Sequence, residues 1–242
     1  QRLMKTMRVK LPKGVSQVGK AFRNEISPRQ TILRSVEFTQ METEVFFDPR
    51  KINEMPHWDD VKSYKIAVQL EKKDKTEIVS CDDLVKKKIV SGKLIAYYLA
   101  RTQQLYEAYG FPVSEMRFRQ LDNEERAFYA KEGWDFEVKT SIGWLELIAN
   151  NYRTDYDLKN HSAESKQDLQ FVESDGNKFI PHVWEISIGA DRTVYAVLER
   201  SLKVGKDKTV LSLPNNLAPL HVAVFPLLSN KEELVKKAEL VF

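Results

Sequence analysis

Two segments constrain this chain more than any others. Residues 17–25 (QVGKAFRNE) and 36–47 (VEFTQMETEVFF) both alternate with period 2, and each carries charge along one face. In the first, Gly19, Ala21, Arg23 and Glu25 share a face. In the second, Phe38, Gln40, Glu42 and Glu44 share one face and Met41, Thr43, Val45 and Phe47 the other. Ser27-Pro28 and the polar residues after it have loop chemistry. The pattern predicts a long antiparallel hairpin with one charged face. Such a face is either the solvated side of a sheet or the floor of a binding site, and alternation alone does not choose.

The remaining chain alternates between strand and helix signals without regular βαβ order, which points to an α+β fold. Residues 50–80 are charged and lack a sustained period, so they read as a loop-rich insertion. From Leu84 to Tyr109 the period is helical, with Ile95, Tyr98, Leu99, Thr102, Leu105, Tyr106 and Tyr109 on one stripe and Gly110 and Pro112 as the stop. Lys86, Lys87 and Lys88 near its start read as a solvated face. Residues 116–120 predict a short strand and 122–131 a short helix. Trp134, Phe136 and Val138 alternate, and 143–149 (GWLELIA) reads as a buried strand with Glu146 on the face of Trp144 and Ile148. A carboxylate in that setting needs a partner, either a core arginine or a metal or substrate. Residues 183–189 form another strand, with Glu185, Ser187 and Gly189 on one side, and a helix with Val194, Val197, Leu198 and Leu202 in register follows over 191–202. Arg192 then falls in the first helical turn, where a cation opposes the macrodipole unless something anionic or aromatic faces it. A short strand at 209–213, a boundary near 213–219, an apolar strand at 221–228 and a helix from Lys231 complete the reading.

Composition narrows the chemistry. The net charge is +3, so nucleic-acid contact would have to be local rather than global. One cysteine, Cys81, excludes an internal disulfide and a multi-cysteine zinc site, and His57, His161, His182 and His221 show no ligand spacing. Without an apolar run of about 20 residues or an opening signal peptide, the expectation is a soluble, cytoplasmic protein with no membrane association. Neither GxxxxGK[ST] nor GxGxxG occurs, so a nucleotide site must be built from side chains on a sheet.

The polar hairpin carries a resemblance. Phe22-Arg23-Asn24-Glu25, then Arg34 and Glu37-Phe38-Thr39-Gln40-Met41-Glu42, resemble motif 2 of the class II aminoacyl-tRNA synthetases, and the dimeric glycyl-tRNA synthetases in particular. The likeness continues through Trp134-Asp135-Phe136-Glu137, Gly143-Trp144-Leu145-Glu146-Leu147 and Arg153-Thr154-Asp155-Tyr156-Asp157-Leu158. Pro181 to Arg192 resembles motif 3, and Leu217-Ala218-Pro219 with 221–228 looks like the entry to an anticodon-binding domain. Each motif is degenerate alone, but their ordered set is specific. The resemblance implies a class II catalytic domain over 1–212, an antiparallel β-sheet flanked by helices. Motif 2 would lie at 17–47, a charged insertion at about 50–130 and motif 3 at 181–202. Residues 213–242 would begin an α/β anticodon-binding domain. Motif 1 and an Arg-Pro-Glu-Thr stretch would precede Gln1, so the 242 residues are expected to be part of a longer enzyme.

The resemblance also implies roles. Arg23 would contact the α-phosphate of ATP, and with Arg192 would be catalytic. Planar guanidinium forks suit that task because they deliver paired charge-assisted hydrogen bonds. Asn24 and Glu25 would line the adenine and acceptor-end side, Arg34 would reach the γ-phosphate, and Leu33, Leu147 and Gly189 would complete the ATP site. Phe38 would stack beneath adenine with Arg192 above it. Phe38, Gln40, Glu42, Glu185 and Ser187 would form the amino-acid pocket, with Glu42 and Glu185 on the ammonium. Glu146 would be a Mg²⁺ ligand. Glycine, ATP and tRNA(Gly) would be the substrates and a homodimer the assembly. A synthetase-like accessory subunit is the alternative, but such a protein should lose its phosphate-clamping arginines first, and both are present here. The family usually reads Glu-Pro-Ser where this chain has Glu185-Ile186-Ser187, and Asn150-Asn151-Tyr152 before Arg153 is longer than its usual Ala-Asn-Arg.

Overall fold

The two charged segments do pair. In a computed structural model that describes residues 9–27 and 31–242, β1 (Lys13–Phe22) and β2 (Glu37–Phe47) run antiparallel, with Gln17 opposite Glu42 and Ala21 opposite Phe38. The first strand begins earlier than predicted and stops at Phe22. Arg23 N still donates to Val36 O at 2.9 Å, but Glu25 N turns back to Arg23 O at 2.9 Å. That three-residue turn ends the ladder and puts Arg23, Asn24 and Glu25 in the connecting loop. Pro28 lies outside the described residues.

Six further strands complete the sheet: β3 (Lys65–Gln69), β4 (Glu77–Ser80), β5 (Met116–Gln120), β6 (Glu132–Thr140), β7 (Gly143–Thr154) and β10 (His182–Gly189). Its order is β1-β2-β10-β7-β6-β5-β3-β4, antiparallel except between β3 and β5. Two of these strands correct the loop-rich expectation for 50–80. Ile66, Ala67 and Val68 of β3 are fully buried. The strand is five residues long, too short to show a period inside a charged stretch. A separate small hairpin pairs β8 (Phe171–Val172) with β9 (Lys178–Phe179).

One face of the sheet is the core. Val45, Phe47, Trp184, Ile148, Trp134, Phe136 and Phe118 line it, and cross-strand register places them all on that side. Against it lies helix α2 (Lys93–Ala108), whose Leu94, Ile95, Leu99 and Tyr106 are buried, with the Tyr106 ring 4.7 Å from Phe136. Gln103 of that helix fixes the β3 edge by accepting from Ala67 N at 2.9 Å and donating to Lys65 O at 3.1 Å. The predicted single helix over 84–109 is two. A short α1 (Cys81–Lys86), capped by Ser80, ends in a turn where Lys88 takes φ 55°, before α2 begins. Gly110, at φ 88°, follows α2 as the stop the sequence predicted.

The predicted helix at 122–131 is a turn. Asp122 Oδ1 accepts from Glu124 N and Glu125 N as a cap would, but Phe128 is exposed and no apolar stripe is buried to propagate the turn. Helix α3 (Tyr156–Ser165) follows β7, and α4 (Ala190–Ser201) follows β10. In α4 the buried stripe is Thr193, Ala196 and Val197, whereas Val194 and Leu198, expected inward, are exposed. The Thr193 hydroxyl bonds the buried Tyr106 hydroxyl at 2.8 Å, which sets that rotation.

Compact units divide at Gln1–Arg200 and Ser201–Phe242. The second holds a small hairpin, β11 (Leu202–Val204) with β12 (Thr209–Leu211), and helix α5 (Glu232–Val241). Residues 221–228, predicted as a strand, form none. An apolar run becomes a strand only beside another strand, and none among the described residues pairs with it. No helix of the described residues is long and apolar enough to cross a membrane.

Candidate active site

The face opposite the core is polar, and register lays it out residue by residue. Along β2, Phe38 stands opposite Ala21, Gln40 opposite Gly19 and Gly189, Glu42 opposite Gln17 and Ser187, and Glu44 opposite Val15 and Glu185. The same face continues through Ala149 and Asn151 of β7, which oppose Ser187 and Glu185, to Asp135 and Glu137 of β6. A bulge interrupts it, because Phe136 pairs with Ile148 while Glu137 pairs with Glu146. Leu147 is the extra residue, so Glu146 and Ile148 point to opposite faces. This corrects the expected shared face. Glu146 is not buried among apolar neighbours; its side chain is 45% exposed.

A cleft of about 110 Å³ opens on this face. Arg23, Glu25, Leu33, Arg34, Phe38 and Gln40 line it from the hairpin, Glu146, Leu147 and Ala149 from β7, and Ser187, Gly189, Asp191 and Arg192 from the motif-3 segment. Three stretches far apart in sequence meet here. The N-terminus of α4 is tied to β2 by Thr39 N, which donates to Asp191 Oδ2 at 2.7 Å. Arg192 Nε donates to Leu33 O and Nη1 to Glu146 O, both at 3.0 Å, and its guanidinium stands 3.5 Å from the Glu146 carboxylate. Those oxygens offset the dipole penalty of a cation in a first helical turn. They also occupy Arg192, so the cation resting over the Phe38 ring is Arg23, 5.6 Å from its centroid. Arg34 bonds Glu25 at 2.9 Å, closing the loop side. Asn24 is exposed and outside the lining.

The residues expected to form the amino-acid pocket run from the cleft, where Phe38, Gln40 and Ser187 line it, farther along the strands. The Gln40 amide bonds the Ser187 hydroxyl, and Gln17 Nε2 donates to Glu42 at 3.0 Å. Glu42 and Glu185 are outside the cleft lining. Glu185 is 7% exposed and receives Asn151 Nδ2 at 3.0 Å and Arg153 Nη1 at 2.6 Å. Arg153 also grips Asp157 through two bonds of 2.7 and 3.0 Å and stacks on Tyr129 at 4.0 Å. It sits at a second bulge, where the register slips between Val183 and Trp184. Glu44, directly across from Glu185, is pushed up to about 7, first by burial and then by the Glu185 charge. One of its carboxylate oxygens is buried without a partner.

Sequence reasoning assigns no role to Glu44, Asn151, Asp157 or Asp191, and none to Arg153 beyond its place in a motif. The i, i+4 spacing of Arg153 and Asp157 is the signal that could have found that pair. Among the described residues no three His, Cys, Asp or Glu side chains cluster as a metal site. A half-exposed carboxylate at the cleft mouth nonetheless fits Mg²⁺, which takes one or two protein carboxylates and draws its other ligands from phosphate and water.

No protein-family model matches the chain. The glycine–tRNA ligase of Thermococcus gammatolerans is 34% identical over 324 aligned residues, covering all of this chain and 56% of that protein. Those of Thermococcus kodakarensis, at 33%, and Archaeoglobus fulgidus, at 32%, also align with the whole chain. The chain thus spans a little over half the length of these relatives. Among solved structures, a Giardia lamblia prolyl-tRNA synthetase in complex with prolyl-adenylate superposes with a TM-score of 0.56 at 15% identity, over 96% of this chain and 36% of the other. At that identity the likeness speaks for the fold. The chain is a relative, over its whole length, of the glycyl-tRNA synthetases, and it is built on the class II synthetase fold.

Proposed function

We propose that this chain carries the ATP- and glycine-binding part of a glycine–tRNA ligase. The observation that supports the reading most is the single cleft in which Arg23, Phe38, Glu146 and Arg192 converge from three separate segments, in a chain whose whole length aligns with glycine–tRNA ligases. In this reading the glycine carboxylate attacks the α-phosphate of ATP, glycyl-adenylate forms and pyrophosphate leaves. The terminal ribose hydroxyl of tRNA(Gly) then attacks the glycyl carbonyl, forming the ester as AMP leaves.

Arg23 would move off Phe38 onto the α-phosphate, where charge grows in the transition state, leaving the ring free to stack on adenine. Arg192, held by two carbonyl oxygens, would cover the other side of the base, and Arg34 would exchange Glu25 for the γ-phosphate. Glu146 would hold Mg²⁺, which supplies charge neutralisation on the phosphates. Glu42 and Glu185 would receive the ammonium, and the Gln40–Ser187 pair would wall off the space a larger side chain needs. No covalent enzyme intermediate is required, so positioning and electrostatics carry the rate. The same reading makes the protein cytoplasmic and homodimeric, with residues 213–242 opening an anticodon-binding domain.

The test is ATP–pyrophosphate exchange by the protein as its gene encodes it, with glycine, alanine, serine and proline offered separately. Exchange is expected with glycine alone, and Arg23→Ala should lower it by about 10²–10³, on the order of 3–4 kcal/mol. Exchange driven by another amino acid would overturn the pocket assignment. No exchange, with tRNA binding retained, would favour an accessory subunit.

A further inference from the structure

The strand that carries Phe38 and the helix that carries Arg192 are joined by one short hydrogen bond. The β2–β10 ladder ends where Gln40 pairs with Gly189. One step on, Ala190 would stand opposite Thr39, but Ala190 is the first residue of α4. Its helical turn aims the backbone carbonyl along the helix axis and away from β2. The Asp191 carboxylate takes the place of that carbonyl, its Oδ2 accepting from Thr39 N at 2.7 Å. A carboxylate accepting from a backbone N–H makes one of the stronger hydrogen bonds, and a negative charge in a first helical turn is favoured by the macrodipole. The next two residues hold α4 to other parts of the chain. Arg192 bonds Leu33 of the loop and Glu146 of β7, and Thr193 bonds Tyr106 of α2 on the core side. Of these side-chain contacts only that of Asp191 reaches β2, between Phe38 and Gln40, which both line the cleft.

We propose that Asp191 is a positioning residue for ATP. Its carboxylate replaces the missing rung of the ladder and fixes the spacing between the Phe38 ring and the Arg192 guanidinium, the two groups between which adenine would lie. The inference rests on the glycine-activation reading and adds to it the residue that sets the nucleotide slot. Asp191 touches no reacting atom. It holds the slot at its bound width before ATP arrives, so that binding does not first have to bring α4 and β2 together. The reach of the side chain matters more than its charge, because an asparagine oxygen can accept the same N–H from the same position and a methyl group cannot. The amino-acid end depends on this tether less. Glu42 and Glu185 lie within the paired stretch of β2 and β10, where main-chain hydrogen bonds keep their register.

The test is pyrophosphate exchange by the protein as its gene encodes it, read as separate KM values for ATP and glycine, with ATP affinity measured alongside by equilibrium titration. Asp191→Ala should raise the ATP KM and weaken ATP binding by about 10- to 100-fold, the range for one charge-assisted hydrogen bond. The glycine KM should stay within about twofold of wild type. Asp191→Asn should hold both ATP values within about fivefold of wild type, since the acceptor remains and only the charge is lost. Asp191→Glu keeps the charge but lengthens the arm by one methylene, and should raise the ATP KM by about tenfold. If D191A lowers the thermal midpoint yet keeps wild-type ATP values, the bond serves folding alone and the inference falls while glycine activation stands. A D191N variant as impaired as D191A would also overturn it, because charge rather than reach would then be what ATP needs. Where D191A does not fold, D191E decides, and wild-type ATP values in that variant overturn the inference. A wild type that exchanges with no amino acid would overturn the underlying reading, and the inference with it.

Discussion

Two carboxylates on the polar face, Asp135 on β6 and Glu44 on β2, are both pushed up to about 7, chiefly by burial and next by a neighbouring acid, Glu146 in one case and Glu185 in the other. Their surroundings differ. Asp135 receives Arg119 Nη2 at 2.8 Å, and its neighbour Glu137 receives Arg117 and Arg119 at 2.6 and 3.2 Å. Two guanidinium groups serve the two buried acids, Arg119 also holding the more exposed Glu125 at 2.7 Å. At Glu44, Arg153 is shared between Glu185 and Asp157, and one Glu44 oxygen stays bare. Burial raises an acid in either place; of these two acids, only Glu44 has, among the described residues, a buried oxygen without a hydrogen-bond partner.

Three substitutions sharpen or break this comparison. Arg153→Ala should have the largest effect, about 3–5 kcal/mol of stability in urea denaturation, because Glu185, Asp157 and Glu44 lose the cation they share. A loss under about 1 kcal/mol would mean the carboxylates are solvated rather than held. Arg119→Ala should cost less, about 1–3 kcal/mol by the same measurement, since Glu137 keeps Arg117. A loss equal to that of Arg153→Ala would erase the distinction between the two clusters. Smallest is the stability effect of Glu44→Gln. The folded Glu44 titrates near 7 against an ordinary 4.5. The native state therefore binds the extra proton between those values, and stability falls as pH rises through that window. The variant lacks the penalty, so its thermal midpoint should match wild type near pH 4.5 and exceed it at pH 8, by the equivalent of about 1–2 kcal/mol after solvent screening. A variant less stable than wild type at pH 8 would show that the Glu44 charge is compensated after all.

Much of the site is legible in the residue pattern alone. The faces of β2 and β10 follow from period 2, and Phe38, Gln40 and Ser187 line the cleft from the strand faces that alternation gave them, whereas Arg23, expected on the face of β1, lines it from the loop after that strand. The failures have local causes. Glu146 changes face because one extra residue, Leu147, stands against a single partner step, and a bulge leaves no mark on hydrophobic alternation. The strand at 65–69 hides in a charged segment, and the capped turn after Asp122 has no apolar stripe to extend it. The run at 221–228 meets no neighbouring strand.

What the sequence determined by itself is the set of strand faces, the main helix stop at Gly110 and the residue types on the polar floor, because periodicity and turn chemistry are properties of neighbouring backbone units. Tertiary structure decided which charge answers which. Thr39 and Asp191 are 152 residues apart in the chain and 2.7 Å apart in space, and Arg153 reaches Glu185 from 32 residues away only because a bulge turns it. Coulombic and desolvation energies depend on spatial separation and burial, and those are fixed when the strands align in register, not when the residues are strung together.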